Sequence, residues 1–251
     1  SMPACGARKL IWLGVVGNTL YQLLFATGLS ITTAANSALF VAATPVVVAL
    51  LGALSGVERP TRNVVAGVAL AFIGITLVLA ARGVALSSET LSGDLLVLVA
   101  AVCWSVYTLG VRSLGGPISS LRVTALTMLT GTPGLVLAGA PQLLRTEWGG
   151  VSAAAWGGLA YATLFALVVA YVLWNVSVRR VGSNRTAVYS CVTPLVAAAV
   201  AWPVLGEWPV PLQGVGAALI VAGVLLTGRR SESKKDEEDV TAVDEEIHAT
   251  A

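Results

Sequence analysis

Apolar residues fall in eight long blocks broken by short polar turns, at roughly 10–29, 34–55, 63–81, 93–114, 121–140, 151–176, 186–205 and 212–228. A helix needs about 20 mostly apolar residues to cross the hydrocarbon core of a bilayer, so each block predicts one transmembrane helix. The blocks at 63–81 and 212–228 are short but carry no charge. Gly, Pro and Ser gather between blocks, as in Ser87-Ser88 and Gly115-Gly116-Pro117, and no loop is long enough for a soluble domain. The pattern predicts an all-α integral membrane protein.

The pattern is also written twice. Thr44-Pro45, Glu58, Pro60, Gly67 and Gly74 recur 149 residues later as Thr193-Pro194, Glu207, Pro209, Gly216 and Gly223. Upstream the register slips by one residue, pairing Tyr21 and Leu23 with Tyr171 and Leu173. An offset of 149 residues covers five predicted spans, an odd number, so the second copy crosses the membrane upside down. Charge inverts with it. Arg59 and Arg62 correspond to Trp208 and Pro211, while the uncharged turn after Leu29 corresponds to one holding Arg179, Arg180 and Arg185. These are the marks of an inverted-topology repeat, an arrangement most often found in transporters.

Composition sharpens the picture. Hydrophobic residues make up 56% of the chain and charged residues 11%, against about 25% charged in an ordinary soluble domain. Thirteen of the 15 Lys and Arg residues fall on one side of the predicted membrane and only Arg82 and Arg145 on the other, which places both termini in the cytoplasm. Eight of the 13 acidic residues lie in residues 229–251, which read as a disordered acidic tail. The net charge of +2 gives no case for a nucleic-acid partner. Cys5, Cys103 and Cys191 lack metal-ligand spacing and read as packing residues, so no metal or cofactor is expected.

The organisation that follows is a cytoplasmic segment (1–9), a three-helix partial repeat (10–81), an external loop (82–92), a five-helix repeat (93–228) and the tail (229–251). The first copy lacks about two spans relative to the second, so the sequence reads as a fragment or truncated form of a ten-span protein.

Residues able to line a transport pathway sit on short helical faces. Asn18, Tyr21 and Gln22 share one face of the first span, and Tyr171, Trp174 and Asn175 share one of the sixth, with Tyr171 the copy of Tyr21. Trp104 and Tyr107 with Thr108 belong to the fourth span, and Tyr189 and Thr193 to the seventh. An amide in hydrocarbon is costly unless it meets a partner or a wet cavity, so this set predicts either a pathway or interhelical hydrogen bonding. Each Thr-Pro pair, Thr44-Pro45 and Thr193-Pro194, lies near mid-span. Each proline frees the carbonyl four residues earlier, at Val41 and Ser190, for a substrate or a hinge. Glu58 and Glu207 close spans at the membrane surface. There they predict a structural role, accepting hydrogen bonds from the free N–H groups of the next helix. The glycine pairs seven residues apart predict close helix packing, within one chain in preference to a homodimer, which stays open.

No Asp, Glu, Lys, Arg or His lies deep in a predicted span, and the only histidine, His248, is in the tail. That argues against a retinal protein, an intramembrane protease and any enzyme built on conventional acid–base residues. It also predicts that a coupling carboxylate, if used, lies in helices absent from this sequence; otherwise the protein works as a facilitator or exchanger.

Several stretches resemble the EamA-type members of the drug/metabolite transporter superfamily. They are Tyr21-Gln22-Leu23-Leu24-Phe25, Ala34-Ala35-Asn36-Ser37-Ala38, Thr44-Pro45, Ala101-Val102-Cys103-Trp104-Ser105-Val106-Tyr107 and Gly206-Glu207. The resemblance covers nearly all of residues 8–228 and implies two inverted five-helix repeats that export or exchange small metabolites; the first two helices of that plan are lacking here. The expected function is efflux of amino acids or related compounds across a prokaryotic plasma membrane, by alternating access between the repeats, with a small-molecule substrate and the lipid bilayer as partners. An organic-phosphate or nucleotide-sugar exchanger is the alternative, disfavoured because no mid-span Lys or Arg is available to meet phosphate. A truncated, non-transporting membrane fragment is another.

Overall fold

The computed structural model describes residues 4–80, 89–114, 118–193, 196 and 211–228, and among these every regular element is a helix. Helix α1 runs through Ala4–Gly14, a π-helical stretch Val15–Leu20 and Tyr21–Ile31. Helix α2 is Ala34–Ala42 and Thr44–Ser55, broken at Ala43, and α3 is Arg62–Ala80. Helices α4 and α5 are Leu91–Arg112 and Ser120–Arg145. Helix α6 joins Ala153–Tyr161, a second π-helical stretch Ala162–Val169 and Ala170–Val181. Helix α7 is Ser183–Tyr189, continued by a 3-10 turn at Ser190–Val192, and α8 is Pro211–Gly228.

Five of these are long and apolar enough to cross a membrane: Gly6–Ile31, Asn36–Ser55, Leu91–Arg112, Ser120–Arg145 and Ala153–Val181. Arg62–Val78 and Pro211–Thr227 are shorter apolar helices. The second half of the expected span 186–205 lies outside the described residues. The surface is apolar where a soluble protein's would be polar. Residues 152–170 are all exposed, with Trp156, Leu159, Leu164 and Phe165 among them, as suits a hydrocarbon surround.

The boundary between the sixth and seventh helices differs from expectation. The sixth helix was expected to stop at 176 and the seventh to start at 186, yet the intervening arginines remain helical and only Gly182 separates α6 from α7. The charged last turn is held from outside the helix. The Arg112 guanidinium donates to the Arg179 carbonyl at 2.9 Å, and Arg179 in turn donates to the Ile118 carbonyl. Gly182, at φ 98° and ψ 161°, makes the turn in a single residue, in a backbone region open essentially to glycine. The equivalent turn between α1 and α2 uses two residues, Thr32 and Thr33. That difference is the one-residue slip between the two copies.

The inverted relation of the copies is visible in how α3 packs on α8. A Cβ on Gly67 would lie 2.5 Å from the Gly223 carbonyl oxygen, and one on Gly74 would lie 2.5 Å from that of Gly216. The reciprocal distances, from Gly216 to Gly74 and from Gly223 to Gly67, are also 2.5 Å. Because Gly67 is the counterpart of Gly216 and Gly74 of Gly223, the two contacts exchange under the repeat, and the helices run antiparallel. Small residues let the backbones touch, the usual source of helix association where water supplies no drive. Val64, Val68, Ala71, Ile75 and Ile220 complete this core, with Ala42 from α2 and Val188 from α7. A second core, Leu10, Leu13, Tyr107, Val111, Val123 and Val178, joins α1, α4, α5 and α6.

Candidate functional site

The two π-helical stretches stand in corresponding places. Val15–Leu20 ends immediately before Tyr21, and Ala162–Val169 ends with only Ala170 between it and Tyr171, the duplicate of Tyr21. A π-turn widens the helix locally and re-aims the side chains that follow, and such turns are frequent at functional sites. Both tyrosines then face the same side chain on α4. Trp104 has its ring centroid 5.0 Å from Tyr21, 5.1 Å from Tyr171, 5.2 Å from Trp174 and 5.3 Å from Tyr107. Tyr21 also stacks on Phe25 at 5.9 Å. The Gln22 amide donates to the Tyr171 hydroxyl at 3.4 Å.

Beneath the rings lies a buried polar network. Asn175 and Tyr107 are both 0% exposed. The Asn175 Nδ2 group donates to the Tyr107 hydroxyl at 2.9 Å and to Thr124 Oγ1 at 2.8 Å, while the Tyr107 hydroxyl lies 3.4 Å from Thr127 Oγ1. Asn18 donates to the Thr127 carbonyl at 3.1 Å, and Thr19 to the Gly131 carbonyl at 2.6 Å. Trp174 Nε1 donates to Thr108 Oγ1 at 3.2 Å. The buried amides are thus bonded between helices and hold α1, α4, α5 and α6 in register, whereas Tyr21, Gln22, Trp104 and Trp174 stay partly open. The open rim offers aromatic faces and one amide, and no charged side chain takes part in these contacts.

Eight of the predicted residues therefore meet: Asn18, Tyr21, Gln22, Trp104, Tyr107, Tyr171, Trp174 and Asn175. The others are placed apart. Thr44 and Pro45 are buried in α2, and the Val41 carbonyl expected to be free accepts the Thr44 hydroxyl at 2.6 Å. Tyr189 is 46% exposed on α7, Thr193 is exposed, and Pro194 and Glu207 lie outside the described residues. Glu58 accepts hydrogen bonds at a helix start, but not from the following helix. Its carboxylate takes the backbone N–H of Ser183 at 2.7 Å and of Asn184 at 3.3 Å, tying the end of α2 to the start of α7, with Arg112 4.0 Å away. Sequence reasoning missed Thr124 and Thr127, because an α5 threonine carries no signal until its partner Asn175 is known. It also passed over Asp94, which is 1% exposed despite its place in the first turn of α4.

A helical membrane protein with an inverted duplication, and a partly open aromatic site where its helices cross, has the build of a small-molecule carrier. The profile of the EamA-like transporter family matches residues 5–80 and 91–229. The "Uncharacterized transporter YyaM" of Bacillus subtilis is 30% identical over 225 residues, spanning 87% of this chain and 72% of that one. A "Probable terminal-alkyne amino-acid exporter" of Streptantibioticus cattleyicolor is 33% identical over 228 residues, 89% of this chain and 74% of the relative. A "Probable amino-acid metabolite efflux pump" of Salmonella typhimurium is 29% identical over 188 residues, 70% and 61% of the respective chains. A solved crystal structure shares the fold, with a TM-score of 0.74 at 20% identity over 86% of this chain and 74% of that one. The chain belongs to the EamA-like transporter family of the drug/metabolite transporter superfamily, and is a multi-pass membrane transporter of small molecules.

Proposed function

We propose that the protein exports amino acids or closely related metabolites, with the aromatic cluster around Trp104 as the contact that substrate makes on its way through. The observation that carries this reading is the convergence of Tyr21 and Tyr171, one from each copy, on the single indole of Trp104. Substrate sites of inverted-repeat transporters lie between the repeats near the bilayer midplane, and rocking of one repeat against the other exposes them alternately. The partly open rings suit the apolar part of an amphipathic molecule, and the Gln22 amide and Tyr171 hydroxyl suit its polar part. The names of the Streptantibioticus and Salmonella relatives point to the same substrate class. Charge distribution supports a plasma-membrane orientation with both termini in the cytoplasm, and the duplicated pattern supports a division of the chain at 82–92.

An organic-phosphate exchanger is the weaker reading, since no Lys or Arg contacts the ring cluster among the described residues. Export is tested in cells preloaded with labelled amino acids of aliphatic, aromatic and charged types. Cells producing the protein should lose one or more of these labels faster than cells producing Trp104→Ala at equal membrane abundance. Equal rates across the whole panel, with exchange of a phosphorylated sugar instead, would replace this substrate class by the other.

A further inference from the structure

The rings around Trp104 cover one another's faces and leave polar edges over. Four ring centroids, those of Tyr21, Tyr107, Tyr171 and Trp174, lie within 5.3 Å of the Trp104 indole. Its faces are therefore taken up by other rings, and a cation that seeks an open aromatic face finds this one covered. Hydrogen-bonding capacity is what remains. Tyr107 and Trp174 direct theirs to Asn175 and Thr108. Tyr171, Tyr21 and Trp104 each keep a proton to give. The Gln22 amide donates to the Tyr171 hydroxyl, so that hydroxyl acts as acceptor and its own proton is left for another group. The Tyr21 hydroxyl and Trp104 Nε1 have no hydrogen-bond partner among the described residues, and neither atom is closed off from the surface. An indole N–H can only donate, so its complement is an acceptor.

These donors are fixed before any ligand arrives. α1 and α4 touch backbone to backbone below the rings: a Cβ on Gly28 would lie 2.9 Å from the Gly93 carbonyl oxygen, and one on Gly93 2.8 Å from that of Gly28. On the other side of Tyr21, Gly17 of α1 lies against the Tyr107 ring of α4. Groups held by packing of this kind lose little freedom when they bind.

From these observations we infer that the cluster recognises a carboxylate, which accepts from the Tyr21 and Tyr171 hydroxyls and from Trp104 Nε1, and that the protein selects free carboxylic acids over the matching esters and amines. A carboxylate is acceptor-only, and its two oxygens can take all three protons. Hydrogen bonds to an ionised acceptor are about twice as strong as those between neutral groups, which gives the acid its advantage over an ester. An amine brings further protons to a place that already supplies them. A doubly charged phosphate monoester calls for a cation, which these neutral donors do not provide. Gln22, tied to Tyr171 through Nε2, keeps Oε1 to accept from an α-ammonium group.

The place of amino acids among these acids rests on the export reading; the preference for a carboxylate does not. The test is thermal unfolding of the full chain in detergent as ligand is added. One set is phenylalanine, 3-phenylpropionate, phenylalanine methyl ester, phenethylamine and phenyl phosphate; a second is leucine, 4-methylpentanoate, leucine methyl ester and 3-methylbutylamine. The acids, with or without the amino group, should stabilise the wild type at concentrations about tenfold or more below those of the ester, the amine or the phosphate. Tyr21→Phe should melt like the wild type without ligand, since its hydroxyl bonds to no described residue, and should need about 10- to 100-fold more acid for the same shift. An ester, amine or phosphate that acts as well as the matching acid, acids that leave the wild type unmoved, or a Tyr21→Phe with unchanged affinity overturns the inference. If the acids bind through Tyr21 while cells export no member of the amino-acid panel, the export reading fails and the carboxylate site stands. If amino acids are exported while acid and ester act alike, the export reading stands and the carboxylate site falls.

Discussion

Tyr171 meets Trp104 edge to face, with centroids 5.1 Å apart and planes at 79°, and Tyr21, its counterpart in the other copy, rests on the same indole at 5.0 Å and 38°. One side chain of α4 thus receives the two tyrosines that correspond in the duplicated sequence. Aromatic pairs of this kind contribute about 0.5–1.5 kcal/mol each beyond area burial, so Trp104 holds part of the fold as well as the rim of the site. Trp104→Phe should separate the two roles. It is expected to unfold within a few degrees of the wild type in detergent while transport slows, because the smaller ring keeps the stacking but not the span between Tyr21 and Tyr171.

The network below the rings predicts strong coupling. Asn175→Ala leaves the Tyr107 and Thr124 hydroxyls without their buried donor, a loss of about 1–3 kcal/mol. Combined with Tyr107→Phe the two losses should fall short of additivity, with an interaction energy on the order of 0.5–3 kcal/mol, since both remove the same bond. Thermal or denaturant unfolding of the four proteins measures it.

The glycine contacts between α3 and α8 make a prediction about symmetry. Gly74→Ala and Gly223→Ala change corresponding positions, each with a carbonyl oxygen 2.5 Å from the new methyl carbon and a backbone nitrogen at 2.8 Å. Both should destabilise, by about 1–3 kcal/mol, and by similar amounts. Parallel melting curves check this directly.

Two glycines with positive φ should respond differently to the same change. A methyl group on Gly56 (φ 69°) meets nothing within 4 Å, so Gly56→Ala should cost only the backbone strain of about 1–2 kcal/mol. Gly182→Ala adds a contact 2.7 Å from Glu58 Oε1 and disturbs the carboxylate that accepts from Ser183 and Asn184. It should be the more damaging of the two, and Glu58→Gln should weaken the same joint.

The sequence made the membrane spans, the duplication and most of the aromatic site legible, because all three rest on patterns local to one helix. Tyr21 with Gln22, and Tyr171 with Trp174 and Asn175, could be placed on helix faces by spacing alone. What stayed hidden depends on partners distant in the chain. Glu58 reads as an end-of-helix carboxylate, and nothing nearby reveals that its donors are 125 and 126 residues away. Asp94 falls in a first turn, where exposure is the ordinary expectation; its burial follows from the glycine contact that draws α1 onto α4. The π-helical stretches leave no mark in the hydrophobic pattern; in the first of them Gly17 lies against the Tyr107 ring.

Counterflow in proteoliposomes tests the central claim most directly. Vesicles containing the full chain are loaded with one unlabelled amino acid and diluted into a trace of the labelled form. The account predicts transient accumulation of label for at least one amino acid, reduced in Trp104→Phe and abolished in Trp104→Ala at equal reconstitution. Accumulation that is unchanged in both variants would contradict a substrate site at Trp104. Absence of accumulation for every amino acid, with counterflow of a phosphorylated sugar, would contradict the assignment of substrate.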